Sequence, residues 1–255
     1  MRNKALFLFL FLCSIAYSTF AQKADSTKNI SHFSGTASIT NNGISLIPTF
    51  SLNKPAALFN MSMGKSKFSF DPEFNFSLEG KPWYFLFWFR YKLANTNQFR
   101  MGAGTHLGLN FKTADLPVNG DSSEVTITER YLSVELSPNY SISKNVNIGI
   151  YYLYSRGLDV GTIRNTNFIT INATFSNIRV VNKYFVKIVP QFYYLRQNED
   201  DGFYFTAAFT LSKNNFPLTI SSVINKVIQT DILAGKDFVW NITLAYSFGN
   251  KYVEL

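Results

Sequence analysis

The 255-residue chain carries few charges and many aromatic side chains. Charged residues make up 16% of it, against roughly 25% in an average soluble domain, while aromatic residues reach 17%, with 26 Phe and 14 Tyr. The formal net charge of +8 comes without a long basic run, which argues against a nucleic-acid partner. The composition favours a protein that places much of its aromatic surface against lipid.

The N-terminus predicts a cleaved secretory signal. Two basic residues precede a short apolar run, residues 5–15, and small residues then precede a cut between Ala21 and Gln22. The apolar run is too short to span a bilayer as a helix. Cys13 is the only cysteine, so the processed chain would have neither a disulfide nor thiol chemistry.

Residues 22–42 are predicted to be an N-terminal periplasmic tail or an insert in the lumen of a barrel. The Asn-Asn-Gly sequence within residues 37–45 is a turn signal that would add one further strand. An even number of strands with both termini in the periplasm leaves this segment outside the wall. The barrel domain is therefore predicted over residues 43–255.

Period-2 alternation of apolar and polar residues runs through that domain, and helical periodicity is nowhere sustained. The pattern predicts an all-β fold: a transmembrane antiparallel up-and-down β-barrel of about twelve strands, each near the ~9–11 residues that cross a bilayer. Counts of about ten to fourteen also fit, since boundaries read from sequence shift by a few residues. The predicted spans are 43–52, 56–63, 66–78, 82–94, 97–111, 124–140, 145–155, 165–176, 183–196, 202–212, 216–228 and 237–249.

Connector lengths alternate along the chain. Every second connector is a short turn, whereas the others are more variable and include the longest, residues 112–124. Outer-membrane barrels have short periplasmic turns and longer extracellular loops. We therefore expect both termini on the short-turn side.

The polar face of the predicted strands consists mostly of Gly, Ser, Thr and Asn, which suits a crowded lumen better than a water-facing surface. The apolar face is then expected to contact lipid. The alternative is an exported soluble β-sandwich with a large core. Aromatic residues with a polar tip lie near predicted strand ends, as expected at a membrane interface: Trp83, Tyr91, Tyr140, Tyr184, Tyr194, Trp240 and Tyr246.

The last strand ends in Ala-Tyr-Ser-Phe, residues 245–248. With the signal and the alternation, this ending resembles Gram-negative outer-membrane β-barrel proteins. The resemblance implies an outer-membrane location, contact with outer-membrane lipid, and assembly by the barrel-assembly machinery through Tyr246 and Phe248. The tail 249–255 departs from relatives that stop at the aromatic residue, and the resemblance implies no single activity.

Pairing strands across their turns predicts an interior charge network. Arg90 falls opposite Asp71, and the next hairpin places Arg100 beside Arg90 and Lys92. Across the following loop, Arg100 approaches Glu135. The predicted members of this network are Asp71, Glu73, Arg90, Lys92, Arg100 and Glu135. They either pair to fill the interior or form a constriction that selects a solute or ion.

His106 is predicted to lie near Glu129, which would give an acid/base pair. No serine nucleophile accompanies it, and no set of residues has the spacing of metal ligands. We therefore expect no enzyme, cofactor or metal. The sequence favours a narrow porin-like pore or a structural scaffold barrel with a charged lumen. An accessory subunit of a larger envelope complex is the alternative, and a barrel enzyme using His106 and Glu129 is less favoured.

Overall fold

The computed structural model describes residues 30–118, 121–233 and 236–253. The predicted signal peptide and its cleavage site, Ala21 and Gln22, lie outside these residues. Within the described ranges, no helix has the length and apolar character needed to cross a membrane. The helix that is described is one 3-10 turn, Pro48–Phe50.

The described residues form thirteen strand segments, of which β12 and β13 are two halves of one stave, that is, of one of the twelve strands in the barrel wall. Their bounds are β1 Ile30–Thr40, β2 Ala56–Lys65, β3 Phe68–Ser77, β4 Pro82–Asn95, β5 Phe99–Val118, β6 Asp121–Ser141, β7 Val146–Gly157, β8 Asn165–Val181, β9 Tyr184–Gln197, β10 Asp200–Lys213, β11 Leu218–Thr230, β12 Phe238–Trp240 and β13 Thr243–Val253. The two halves share one register on β11, because Ile224 faces Trp240 and Ser221 faces Thr243.

The sheet closes on itself. Neighbours in sequence pair antiparallel, and β1 pairs with β13 along its whole length, Ile30 opposite Val253 and Thr40 opposite Thr243. A closed barrel satisfies its backbone hydrogen bonds between strands, which is the condition for crossing a bilayer with β-structure. The prediction of a twelve-stranded antiparallel barrel is confirmed.

The first stave is displaced from its predicted position. The strand expected at 43–52 is absent, and Ile30–Thr40 supplies the stave instead, so the tail or insert predicted for 22–42 is wrong over these residues. Phe33 and Ile39 face outward on this strand, but small residues between them weaken the alternation. The apolar residues of 43–52 serve another purpose, since Ile47 is buried inside the barrel.

The two rims differ as predicted. Short turns join the strands at the rim that carries Ile30 and Val253, which we call the turn rim: residues 66–67, 96–98, 142–145, 182–183 and 214–217. The opposite loop rim carries the longer connectors 41–55, 158–164 and 231–237. By the rule for outer-membrane barrels, the turn rim is expected to face the periplasm and the loop rim the cell exterior.

The β5–β6 hairpin is longer than its neighbours. β4 pairs with β5 only as far as Asn110, and β7 pairs with β6 only from Tyr131. Beyond these points the two strands pair only with each other, and most of the predicted loop 112–124 is strand. The hairpin therefore extends past the loop rim as a two-stranded ribbon.

The outer surface is apolar. Large aliphatic and aromatic side chains alternate outward on every stave, with Ile171 67% exposed and Phe192 60% exposed. Such a surface is unfavourable in water and suited to lipid. Five of the predicted interface aromatics are exposed on it, namely Tyr91, Tyr140, Tyr184, Trp240 and Tyr246, and Tyr194 is half-buried near the loop rim. Phe248 is also exposed.

Trp83 is the exception, and its prediction as an interface residue is wrong. It is only 3% exposed, and its Nε1 donates a hydrogen bond to the carbonyl oxygen of Phe50 at 2.8 Å. The β3–β4 register shifts beside it, between Asn75 and Phe76. At this register shift, the Trp83 side chain points inward beneath residues 41–55. Alternation alone does not predict this inward position.

Candidate functional site

Exposure of the inward-facing side chains changes along the lumen. Near the loop rim, Phe168, Leu195 and Tyr204 are 0% exposed. Toward the turn rim, Lys92 and Arg100 remain exposed, and the lining is otherwise rich in Ser, Thr, Asn and Gly. The inward-facing side chains are thus buried near the loop rim and exposed near the turn rim.

A cluster of apolar and aromatic side chains closes the loop-rim half. Tyr193 and Tyr204 stack with ring centroids 4.7 Å apart, and Phe168 lies 5.0 Å from Tyr193. Asn225 donates to the Tyr193 hydroxyl at 2.7 Å, so this phenol is satisfied inside the cluster. We call the cluster the lumen plug; its members are Ile47, Trp88, Leu153, Phe168, Tyr193, Leu195, Tyr204 and Ile232.

The inserted segment, residues 41–55, completes the plug from the loop rim. Ile47 enters the apolar cluster, and the Phe50 ring meets Tyr131 edge-on at 5.3 Å. Gln197 on β9 donates to Thr49 Oγ1 at 2.8 Å. Because Trp83 on β4 holds Phe50 as well, the segment is attached to opposite walls of the barrel.

Below the plug lies a charge network centred on Arg90. Its Nη1 lies 3.1 Å from Asp71 Oδ2, and its Nε lies 2.7 Å from Glu135 Oε1. Tyr151 donates to the second Glu135 oxygen at 2.8 Å. The guanidinium also lies 4.1 Å from the centre of the Trp88 ring. The structure therefore brings together Asp71, Arg90 and Glu135, three of the predicted members.

The predicted register is nevertheless shifted. Asp71 lies opposite Trp88, and Arg90 lies opposite Ser69, two residues from the expected pairing. A shift of two keeps side chains on the same face. The long Arg90 side chain reaches diagonally across the two strands and still forms the ion pair with Asp71.

Arg100 does not join this network, so its predicted contact with Glu135 is wrong. It lies opposite Asn139, four residues beyond Glu135, because the β5–β6 ribbon turns later than the sequence suggested. Its Nη2 donates to Asn147 Oδ1 at 3.1 Å. Arg100 instead shares a polar pocket near the turn rim with Lys92.

The predicted acid/base pair is also wrong. His106 lies opposite Ser133 and its ring packs on Trp88 at 3.9 Å, whereas Glu129 accepts from Lys112 Nζ at 2.8 Å. The same shift of four residues separates the two groups. Among the described residues, no group of three His, Cys, Asp or Glu is arranged to hold a metal ion.

His32 belongs to the lumen, although it falls within the predicted tail 22–42. Its Nε2 lies 3.0 Å from Ser62 Oγ, and Ser62 donates to Asp71 Oδ1 at 2.5 Å. The serine hydrogen points to the carboxylate, so Ser62 is not set up as a nucleophile for His32. The alternation through residues 31–40 is weak, but the Ser and Thr residues at its even positions share a face with His32 and indicate that it points inside.

A further ion pair stabilises the loop rim. Arg130 donates to Asp159 through Nη2 at 2.6 Å, and its backbone N–H donates to the same carboxylate at 2.7 Å. These hydrogen bonds hold the pKa of the Asp159 carboxyl below its usual value. The connector 158–164 is thereby tied to the base of the ribbon.

Replacing Arg90 by Met is expected to lower the free energy of unfolding by about 2 kcal/mol. Removing one partner of a buried ion pair costs about 3–5 kcal/mol because the other charge is left unpaired. The Arg90 side chain is 34% exposed, so we take a smaller value for solvent screening. Urea titration of the barrel in lipid vesicles measures the effect.

Arg100→Met is the matched control. It removes the same charge from an exposed site that lacks a carboxylate partner among the described residues, so we expect a change below about 0.5 kcal/mol. Equal losses from the two substitutions would contradict a network centred on Arg90.

Comparison with known proteins supports the fold. No protein-family model matches the sequence. Comparison with curated proteins finds no match either. The structure is similar to that of the KdgM porin, with a TM-score of 0.52 and 11% identity over 84% of this chain and 99% of the other. Weaker likenesses are to the NanC porin, with a TM-score of 0.45 and 12% identity over 88% and 100% of the two chains, and to OmpT of Vibrio cholerae, with 0.47 and 8% over 89% and 100%.

The closed barrel and its apolar outer surface define the class of fold: the chain is a transmembrane antiparallel β-barrel. Its fold is that of the porin-like barrels. At this level of identity the likeness extends to the fold and not to any transported solute.

Proposed function

We propose that this protein is a closed structural barrel of the outer membrane, with a polar, charged vestibule open to the periplasm. The observation that carries the proposal is the lumen plug, which joins the inserted segment to opposite walls. A barrel of about twelve strands lies between those filled by side chains and those holding an aqueous channel. Here the loop-rim half is filled, which favours a scaffold over an open pore.

The vestibule supports the second part of the proposal. Lys92 and Arg100 have no carboxylate partner within 4 Å among the described residues, and both remain exposed near the turn rim. Catalysis forms no part of the proposal, since His106 and Glu129 lie apart.

One observation favours the accessory-subunit alternative. The β5–β6 ribbon extends beyond the barrel with unpaired edges on either side, and such edges are places where other chains add a strand. A native complex lost when the ribbon is shortened would favour a partner protein. A protein that remains monomeric with an intact ribbon would count against one.

Planar-bilayer conductance tests the closed barrel. We expect no steady current from the folded wild-type protein. Replacing residues 44–52 by a short Gly-Ser linker removes Ile47 and Phe50 from the lumen, and we expect brief or partial openings to follow. As the control, replacing the connector 158–164 by a linker of equal length leaves the plug in place and should give no current. A steady wild-type current would refute the closed barrel.

A further inference from the structure

The lumen contains a cavity of about 200 Å³ between the inserted segment and the charge network. An empty apolar cavity of about 150 Å³ holds benzene, so this one has room for a slightly larger small molecule. Part of its wall is aromatic: Phe50, Tyr84, Trp88, Tyr131 and Tyr151 are among the residues that line it.

One carboxylate in the wall forms no ion pair, although Arg90 lines the same cavity. Arg90 forms ion pairs with Asp71 and Glu135, which lie outside the cavity lining. Glu73 lines the cavity, and no Lys or Arg among the described residues lies within ion-pair distance of it.

The local charge balance favours a cation. One guanidinium, Arg90, faces three carboxylates, Asp71, Glu73 and Glu135, which leaves a formal charge of −2 when all are ionised. Aromatic faces attract ammonium groups, and such rings form the cages that recognise organic cations. His106, 6% exposed, also lines the cavity, and its Nδ1 has no hydrogen-bond partner.

We propose that this cavity binds a small organic ammonium ion, with its charge at Glu73 and its apolar part against Trp88 and the neighbouring rings. The cavity is lined by Ile47, Trp88 and Leu153 of the plug and by Arg90 of the charge network, so the site lies between the two. Binding does not depend on whether the barrel conducts.

Calorimetric titration of the folded barrel with three probes of similar shape tests the proposal: benzylammonium, benzyl alcohol and benzoate. We expect saturable binding of benzylammonium, and affinities for the other two weaker by about tenfold or more, because a charged hydrogen bond is lost or replaced by repulsion. Glu73→Gln should remove most of the preference for the ammonium probe. Glu199→Gln, an exposed change at the loop rim, should leave binding unaltered.

Three results would overturn the proposal: no saturable benzylammonium binding, equal or tighter binding of the alcohol or benzoate, or unchanged selectivity in a folded Glu73→Gln variant. If that variant does not fold, the order of affinities for the three probes on the wild-type protein decides.

Discussion

Replacing Tyr204 by Ala is expected to lower the free energy of unfolding by about 3–5 kcal/mol, the usual cost of removing a large buried aromatic side chain. Tyr204 is 0% exposed and stacks on Tyr193 with an interplanar angle of 6°. Its hydroxyl lies 2.7 Å from Thr230 Oγ1. The substitution leaves a hole in the plug that neighbouring staves, held by their hydrogen-bonded ladders, can fill only in part.

Urea titration in lipid vesicles, followed by the gel mobility of the folded barrel, measures this loss. Tyr204→Phe is the matched control, because it keeps the ring and loses one hydrogen bond worth about 1 kcal/mol. If Tyr204→Ala cost no more than Tyr204→Phe, the lumen would not be packed around this ring.

Replacing Ile171 by Arg is expected to cost about 2–4 kcal/mol, the value for a cation on the lipid face near the bilayer midplane. Ile171 lies within β8 and points outward between two inward-facing residues, Thr170 and Asn172. In a soluble β-sandwich an exposed Ile would tolerate Arg at little cost. The same unfolding titration thus distinguishes a transmembrane barrel from an exported soluble β-sandwich.

Thr210→Arg serves as the control for that substitution. Thr210 is a partly exposed residue of β10 near the turn rim, and its side chain faces the water-accessible lumen. We expect a change below about 1 kcal/mol. Equal costs at the two positions would contradict the assignment of inner and outer faces.

The sequence predicted which face each strand presents because that depends only on a period of two residues. The register of neighbouring strands was harder to predict, since it depends on the residues at which each turn closes. The predicted register was wrong by two residues at Asp71 and Arg90, and the contact between these side chains still forms. It was wrong by four residues across the β5–β6 ribbon, and the contacts predicted for Arg100 and His106 do not form.

The alternation pattern did not predict the lumen plug, although the sequence contains a signal for it. Near the loop rim, apolar residues occupy adjacent positions and so fall on both faces, as in Phe168-Ile169, Tyr193-Tyr194 and Phe203-Tyr204. Loss of alternation at one end of several neighbouring strands indicates a lumen filled at that end. The buried position of Ile47 could not be predicted from the sequence, because no local pattern shows that a connector folds inward.

Sided labelling of single cysteines tests whether the lumen is closed toward the cell exterior. Cys13 is the only native cysteine and lies in the predicted signal, so an introduced cysteine can be labelled alone. The measurement compares Thr210→Cys, in the vestibule, with Asn198→Cys, in the loop-rim turn between β9 and β10. An impermeant maleimide too large for general porins is applied to intact cells and then to cells with a permeabilised outer membrane. We expect Asn198→Cys to react in intact cells and Thr210→Cys to react only after permeabilisation. Equal labelling of the two cysteines in intact cells would contradict a lumen closed toward the exterior.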